Sequence, residues 1–313
     1  MLKSKNKVLV IILAILGIAL VIKLIFGDTK GSERSFKKYL IELNTDNVDK
    51  LTITNDENTI TMFKEGNKWY VSDITGKYFA DQQVIGDLVN DMSAMKIEKL
   101  VSTEKTKWKE YEVDDTLGVK VSLFKGKKRL AEVIVGRFSY RQTGSGQGGY
   151  GGGYQLSTMV RLNSEKEIYS IEGAISMQVK RSLDNFRDKT IISFDPETVQ
   201  KLEYIYPADS SFTLALSNGE WLLNSEIASI GKVINFLNEI KETKGNSFTQ
   251  DVDTENVEEF QLRITTNTGI QILVKSYKTE DKYVFITSQN EGVLTETEYL
   301  FKKIFPSADK FLE

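Results

Sequence analysis

The apolar positions of the chain change their period several times. Residues Val8 to Phe26 (VLVIILAILGIALVIKLIF) are apolar throughout except for Lys23. At about 1.5 Å of rise per residue such a helix reaches roughly 28 Å, close to the hydrocarbon thickness of a bilayer. Beyond a polar stretch ending at Lys38, alternation of period two appears at Leu51–Thr54 and Ile60–Met62 and again at Gln261–Thr265, which predicts half-buried strands. Two segments have the helical period instead. Asp81–Met95 places Val84, Ile85, Leu88, Val89, Met92 and Met95 on one face, and Glu226–Lys241 does the same with Ile227, Ile230, Val233, Ile234, Leu237 and Ile240. A third helix is predicted over Glu172–Phe186, with Ile171, Ile175, Val179 and Leu183 four apart. Amphipathic helices among alternating strands predict an α+β chain in which mostly antiparallel sheets pack against helices.

The chain also resembles itself. VDKLTI at Val48–Ile53 is answered by VQKLEY at Val199–Tyr204, Trp69 by Trp221, and the pair Val84 and Leu88 by Val233 and Leu237. The turn glycine Gly126 meets Gly269, which sets Val119 and Val121 against Leu262 and Ile264, and VKRSL at Val179–Leu183 meets FKKIF at Phe301–Phe305. The order of elements does not change, so two tandem repeats are predicted, each reading β-β-α-β-β-β with a closing helix. The spacing between matches falls by 19 along the way, and the segment Ser139–Thr158 accounts for the step as an insertion in the first repeat.

These readings divide the chain into residues 1–7, a membrane helix at 8–26, a linker at 27–38, a first repeat at 39–190 and a second at 191–313. Lys3, Lys5 and Lys7 precede the apolar run and no acid occurs before Asp28. The positive-inside rule therefore leaves the N-terminus in the cytoplasm and sends the rest outward. A cleaved signal peptide is the rival reading, although the run exceeds a usual h-region and no A-x-A-like site follows it.

Composition narrows the chemistry. The 313 residues include no cysteine and no histidine, which removes imidazole and thiolate metal sites, Ser-His and Cys-His nucleophiles and disulfide frameworks. Setting aside the four lysines of residues 1–27 leaves 37 basic against 44 acidic residues, a net of −7. That surface argues against nucleic acid as a partner. Gly144-Ser-Gly146-Gln-Gly148-Gly149 satisfies G-x-G-x-x-G formally, yet it sits between two predicted strands, where a dinucleotide fingerprint needs a strand and a helix. Asp251-x-Asp253-x-Glu255 opens like a calcium loop but has Asn256 where the glycine belongs and Leu262 where the bidentate glutamate belongs. No catalytic, metal or cofactor residue is assigned, and the expectation is a protein that is not an enzyme.

The glycine-rich insertion is expected to be a mobile hairpin tip whose removal leaves the fold intact. Arg137, Tyr140, Arg141, Tyr150 and Tyr154 interleave it, and because tyrosine and arginine serve as interface anchors these five are the partner-binding candidates. Phe186, Arg187, Asp188 and Lys189 lie between the repeats and are expected to fix their relative orientation.

Several segments, in order, carry a resemblance: K-W-Y-V at Lys68–Val71, the A-D-x-x-x-I-x-x-L-x-x-D-M helix at Ala80–Met92, E-Y-x-V-D-D-T-L-G-V-x-V at Glu110–Val121, V-I-V-G at Val133–Gly136, and F-R-D-K at the junction. Together with an N-terminal anchor they resemble the bacterial family catalogued as domain of unknown function 4340, over about Tyr39 to the C-terminus. The resemblance implies a non-enzymatic accessory or scaffold subunit of an ABC-type transport complex related to gliding-motility transporters. Its permease and auxiliary subunit would be the partners, and its place the outer side of the bacterial cytoplasmic membrane. The alternative is a membrane-tethered binding module for cell-envelope glycan or lipid, for which Trp69, Trp108 and Trp221 are the candidates.

Overall fold

The computed structural model describes residues 37–55, 58–143, 153–249, 257–279 and 282–312. The apolar run Val8–Phe26 lies outside them, and among the described residues no helix is long and apolar enough to cross a membrane. The chain forms two compact units, Met1–Leu40 and Ile41–Glu313.

The second unit is mostly antiparallel β with few helices, in two large sheets. The first sheet holds β1 (Tyr39–Glu42), β2 (Lys50–Thr54), β3 (Thr59–Glu65), β4 (Lys68–Asp73), β5 (Gly76–Phe79), β6 (Ala94–Ser102), β7 (Val119–Lys125), β8 (Lys128–Thr143), β9 (Gly153–Leu162) and β10 (Ile168–Glu172). Two short strands, β11 (Thr190–Ser193) and β16 (Glu242–Lys244), pair with each other. The second sheet holds β12 (Val199–Ile205), β13 (Phe212–Ser217), β14 (Glu220–Leu223), β15 (Glu226–Ile227), β17 (Ser247–Thr249), β18 (Glu258–Thr266), β19 (Gln271–Lys278), β20 (Tyr283–Thr287) and β21 (Val293–Glu296). The four α-helices among the described residues are α1 (Gln82–Ser93), α2 (Ile175–Val179), α3 (Ile230–Ile240) and α4 (Glu298–Ile304).

Read from β5, the first sheet runs β5-β4-β3-β2-β7-β8-β9-β10-β6-β1; read from β15, the second runs β15-β14-β13-β12-β18-β19-β20-β21-β17. The order is the same over nine strands, and β1 is the tenth strand of the first sheet. What β1 does for the start of β6, β11 does for β16, and the stretch matching β6 is divided between β16 and β17 at Gly245 and Asn246. Glu296 occupies that division: its carboxylate accepts from the Asn246 backbone N–H and, at 2.7 Å, from Asn246 Nδ2.

Each large sheet buries one face under a helix. Leu51, Met62 and Val71 pack with Ile85, Leu88 and Met92 in the first, and Leu202, Leu214 and Val274 pack with Val233, Phe236 and Ile240 in the second; all are almost fully buried. Asp81 caps α1 by accepting from the N–H groups of Gln83 and Val84, which satisfies two otherwise orphaned donors.

Several expectations need correction. The buried stripe of α3 is Val233, Phe236, Leu237 and Ile240, so its match in α1 is Ile85, Leu88, Val89 and Met92, one residue away from the alignment of Val84 with Val233. On a helix one residue is a turn of about 100°, and Ile230 and Ile234 consequently face outward, while Ile227 precedes the helix and is exposed on β15. In the strands, Leu51 pairs with Leu123 and Leu202 with Ile264, which makes Val121 the counterpart of Leu262 and shifts the alignment through the turn glycines by two residues. A shift of two keeps each side chain on its own face, so the alternation gave no warning. The predicted helix Glu172–Phe186 is broken: Gly173 has φ +98°, only Ile175–Val179 is α-helical, and extended Ser182 leads into a separate 3-10 turn at Leu183–Asn185. Finally, the insertion Ser139–Thr158 is largely strand, since Phe138–Thr143 pairs with Gly153–Thr158.

Candidate functional site

Past Val135 strand β8 no longer has β7 beside it, and past Ser139 and Ser157, where β10 also ends, β8 and β9 continue as a two-stranded arm. Alternation sorts its side chains onto two faces. The pairs Tyr140 with Leu156 and Gln142 with Tyr154 put three large apolar side chains on one face. Tyr140 is 67% and Tyr154 63% exposed. Their rings meet edge-on with centroids 5.9 Å apart, and Phe138 stacks on Tyr140 at 6.3 Å. Such ring pairs hold an aromatic surface in a fixed shape without burying it.

The other face fastens the arm to the body. Arg141 Nη2 donates to Gln155 Oε1 at 2.7 Å, and Gln155 Nε2 donates in turn to Glu98 on β6 at 2.6 Å. The same carboxylate accepts from Ser157 Oγ at 2.7 Å and Ser170 Oγ at 2.6 Å, so one acid ties β6, β9 and β10 together. Partial burial pushes the Glu98 carboxyl up, but the bonds from Ser170, Ser157 and Gln155 outweigh it and hold it below the usual carboxylate range.

Of the five partner-binding candidates, Tyr140 and Tyr154 therefore share a face, Arg141 lies on the opposite one, and Arg137 sits at the arm's base with its guanidinium 4.8 Å from the Tyr111 ring. Tyr150 lies outside the described residues. Removing all of Ser139–Thr158 would damage the body. Thr158 is fully buried, donating to Gly173 O at 2.9 Å and accepting from Ser176 N, while Gln155 and Ser157 belong to the Glu98 cluster.

At the junction the four expected residues act together. Phe186 is buried and its carbonyl accepts the Asp81 N–H at 2.9 Å. The Arg187 guanidinium lies between two rings, 3.9 Å from that of Tyr78 in the first sheet and 3.5 Å from that of Phe248 in the second. It also donates to Asp184 Oδ1 at 3.0 Å. Asp188 takes the N–H and hydroxyl of Thr190, gives its own N–H to Phe79 O, and has its carbonyl bonded by Asn290 Nδ2. Lys189 O accepts the Gly245 N–H at 2.7 Å. Lys244 of β16 reaches back to Asp81 at 2.7 Å, so the residue that caps α1 also carries an ion pair to the short β11–β16 sheet. A cleft of about 630 Å³ opens beside this knot, with Ile60 and Tyr78 on one wall and Phe248 and Gly292 on the other.

A family model described as Domain of unknown function (DUF4340) matches residues 73–263. This chain belongs to the DUF4340 family. The match runs from the end of β4 to β18 and so takes in α1, the arm and the junction; the KWYV motif at 68–71 precedes it. No curated protein and no solved structure matches the chain.

In this DUF4340 protein sequence reasoning passed over Arg161, the largest fully buried side chain among the described residues. Its Nε donates to Val113 O at 2.6 Å, Nη1 to Asn163 O at 3.3 Å and Nη2 to Asp115 at 2.9 Å, and its plane lies 3.8 Å from the Trp108 ring. The Glu110–Val121 segment is thereby pinned over the outer face of the first sheet. Gly136 allows the close approach, because a Cβ there would stand 2.3 Å from Tyr111 O. The signal was an arginine within an alternating apolar strand, which only a fork of donors to backbone could satisfy.

Glu296 supplies a test by pH. Burial raises its carboxyl above the ordinary value despite the two bonds from Asn246 and the nearby charge of Lys189. A raised acid adds stability that is complete below its unfolded value and lost as pH rises through its folded value. Glu296→Gln keeps an acceptor for the Asn246 N–H and removes the titration. Its urea midpoint relative to wild type is expected to rise between pH 4 and pH 7; a constant difference across that range would contradict the assignment.

Proposed function

We propose that this DUF4340 protein is a non-enzymatic scaffold anchored in the bacterial cytoplasmic membrane by residues 8–26, with residues 1–7 inside. Two tandem repeats, 39–190 and 191–313, stand on the outer side. The arm of the first repeat docks on an ABC-type transport complex, on its permease or auxiliary subunit. The matching strand orders and the matching links from Phe186 to Asp81 and from Phe311 to Ser229 support the repeat reading. The observation that carries the functional reading is the exposed tyrosine pair on an arm whose opposite face is fastened at Glu98. Rigid aromatic anchors of this kind lose little conformational entropy on binding.

The test is Tyr140→Ser with Tyr154→Ser in the full-length chain, crosslinked in native membranes and recovered by affinity. Both side chains are mostly exposed, so the thermal midpoint should stay within about 2 °C of wild type. Recovery of permease and auxiliary subunit should fall about tenfold or more; undiminished recovery would remove the arm from the account.

The envelope-binding alternative has one observation in its favour, a groove of about 460 Å³ where Trp221 meets Leu216, Ile234 and Leu237. Trp69 and Trp221 are otherwise buried, and Trp108 is covered by Arg161 while its Nε1 donates to Lys166 O.

A further inference from the structure

The second repeat carries a counterpart of the Phe79–Asp81 stretch through which the first repeat holds the connection, and among the described residues Ile227 of that counterpart and the neighbouring Ile230 and Ile234 are exposed. In the first repeat the chain leaves Phe186, whose carbonyl caps the Asp81 N–H, and continues along β5: Ala80 bridges Arg187, and Phe79 O accepts from Asp188 N. In the second repeat the Phe311 carbonyl accepts the Ser229 N–H at 2.9 Å in the same way. Asp81 and Ser229 are both N-caps, 148 residues apart. The same spacing carries Phe79, Gln82 and Gly86 onto Ile227, Ile230 and Ile234.

Those three isoleucines are 71%, 54% and 46% exposed. The fold does not ask for them. At the matching places the first repeat has Gln82, which binds backbone atoms of Trp69 and Ala80, and Gly86. Ile230 and Ile234 stand one turn apart on α3, Ile227 is on β15 at the edge of the sheet, and the Trp221 groove continues the apolar surface past Ile234. Three large apolar side chains gathered on a surface where the sister repeat has one, Phe79, beside Gln82 and Gly86 mark a contact site.

The internal junction indicates what covers it. There, Lys244 of the second repeat pairs with Asp81 of the first. Counting back 148 from Lys244 gives Lys96, on β6 of the first repeat, half exposed and paired with Glu172. The isoleucine face carries its own exposed acid, Glu226, beside Ile227. We propose that this face seats the first repeat of a second copy of the chain, head to tail, with Lys96 of the incoming copy turned toward Glu226. The half-exposed pair Lys96–Glu172 is weak enough to be exchanged on docking. Such a contact is heterologous, and the rotation between copies sets whether they form a ring or an open row.

The chain has no cysteine, which makes site-specific crosslinking clean. Full-length Ile230→Cys and Lys96→Cys variants, purified separately, mixed in mild detergent and treated with a short bismaleimide, should yield mixed 230–96 dimers in excess of either homodimer. In sedimentation, Ile230→Asp with Ile234→Asp should weaken self-association about tenfold or more while circular dichroism keeps the wild-type fold, because both side chains are about half in solvent. Absence of the 230–96 product at every concentration, homodimers of the Ile230→Cys variant alone, or self-association unmoved by the double substitution would each overturn the proposal. The tyrosine substitutions on the arm leave this assay unchanged, so the two readings fail separately.

Discussion

Arg161→Ala is expected to lower the unfolding free energy by about 3 kcal/mol, an effect far larger than that of the surface ion pairs. The substitution strands the carbonyl of fully buried Val113, releases Asp115 and removes the aliphatic stem and guanidinium plane that cover Trp108. An unpaired buried acceptor accounts for about 1–3 kcal/mol and the lost packing for the remainder. Arg161→Lys should recover little, since an ammonium cannot serve three acceptors in a plane while stacking on a ring. Urea unfolding followed by tryptophan emission measures both variants. A lysine variant as stable as wild type would mean that the fork of hydrogen bonds is not what holds the Glu110–Val121 segment.

Phe186→Ala and Phe311→Ala form the second test. Both rings are almost completely buried, and both residues give their carbonyls to the N-cap of the preceding long helix. Each truncation should cost about 3–5 kcal/mol through lost transfer energy and a residual cavity. Their consequences should differ in kind. Phe311 belongs to the core of the second sheet, packing on Phe212 and Phe236, so its loss should weaken that sheet. Phe186 lies on the connection, next to the Arg187 stack and the Asp81–Lys244 pair. Phe186→Ala should therefore also separate one cooperative unfolding transition into two. Differential scanning calorimetry distinguishes these outcomes, and a single sharp transition in Phe186→Ala would show that the two sheets are coupled by some other route.

What was legible in the sequence were features with a local cause. Period-two runs gave the strands around Leu51 and Leu262, and two amphipathic stripes gave α1 and α3, because a buried face imposes its period on the chain. Trp69 and Trp221 are local marks as well, and they stand in matching places of the two sheets, each paired with the strand before its own. Registration failed where geometry is set from a distance. The stripe of α3 contains extra isoleucines that the body does not bury, and these made Ile230 and Ile234 look like core. The helix expected at Glu172–Phe186 had the right spacing but not the backbone, which Gly173 and Ser182 interrupt. The insertion reads as a removable hairpin tip because its glycines dominate the composition; its flanks are strands fastened by Glu98, an acid 57 residues away from Gln155. At the candidate sites, Tyr140, Tyr154 and Arg187 were named from residue type alone. Glu98, Arg161 and Glu296 were not, because their partners meet only when the sheets form.

The most direct measurement of the central claim is affinity recovery of the tagged full-length chain from native membranes after mild crosslinking in the cell, with mass spectrometry of whatever accompanies it. Recovery of an ABC-type permease with its auxiliary subunit and ATPase, near one to one with the chain, is the predicted result. Recovery of the chain alone, or with envelope glycan or lipid in place of a transporter, would contradict it.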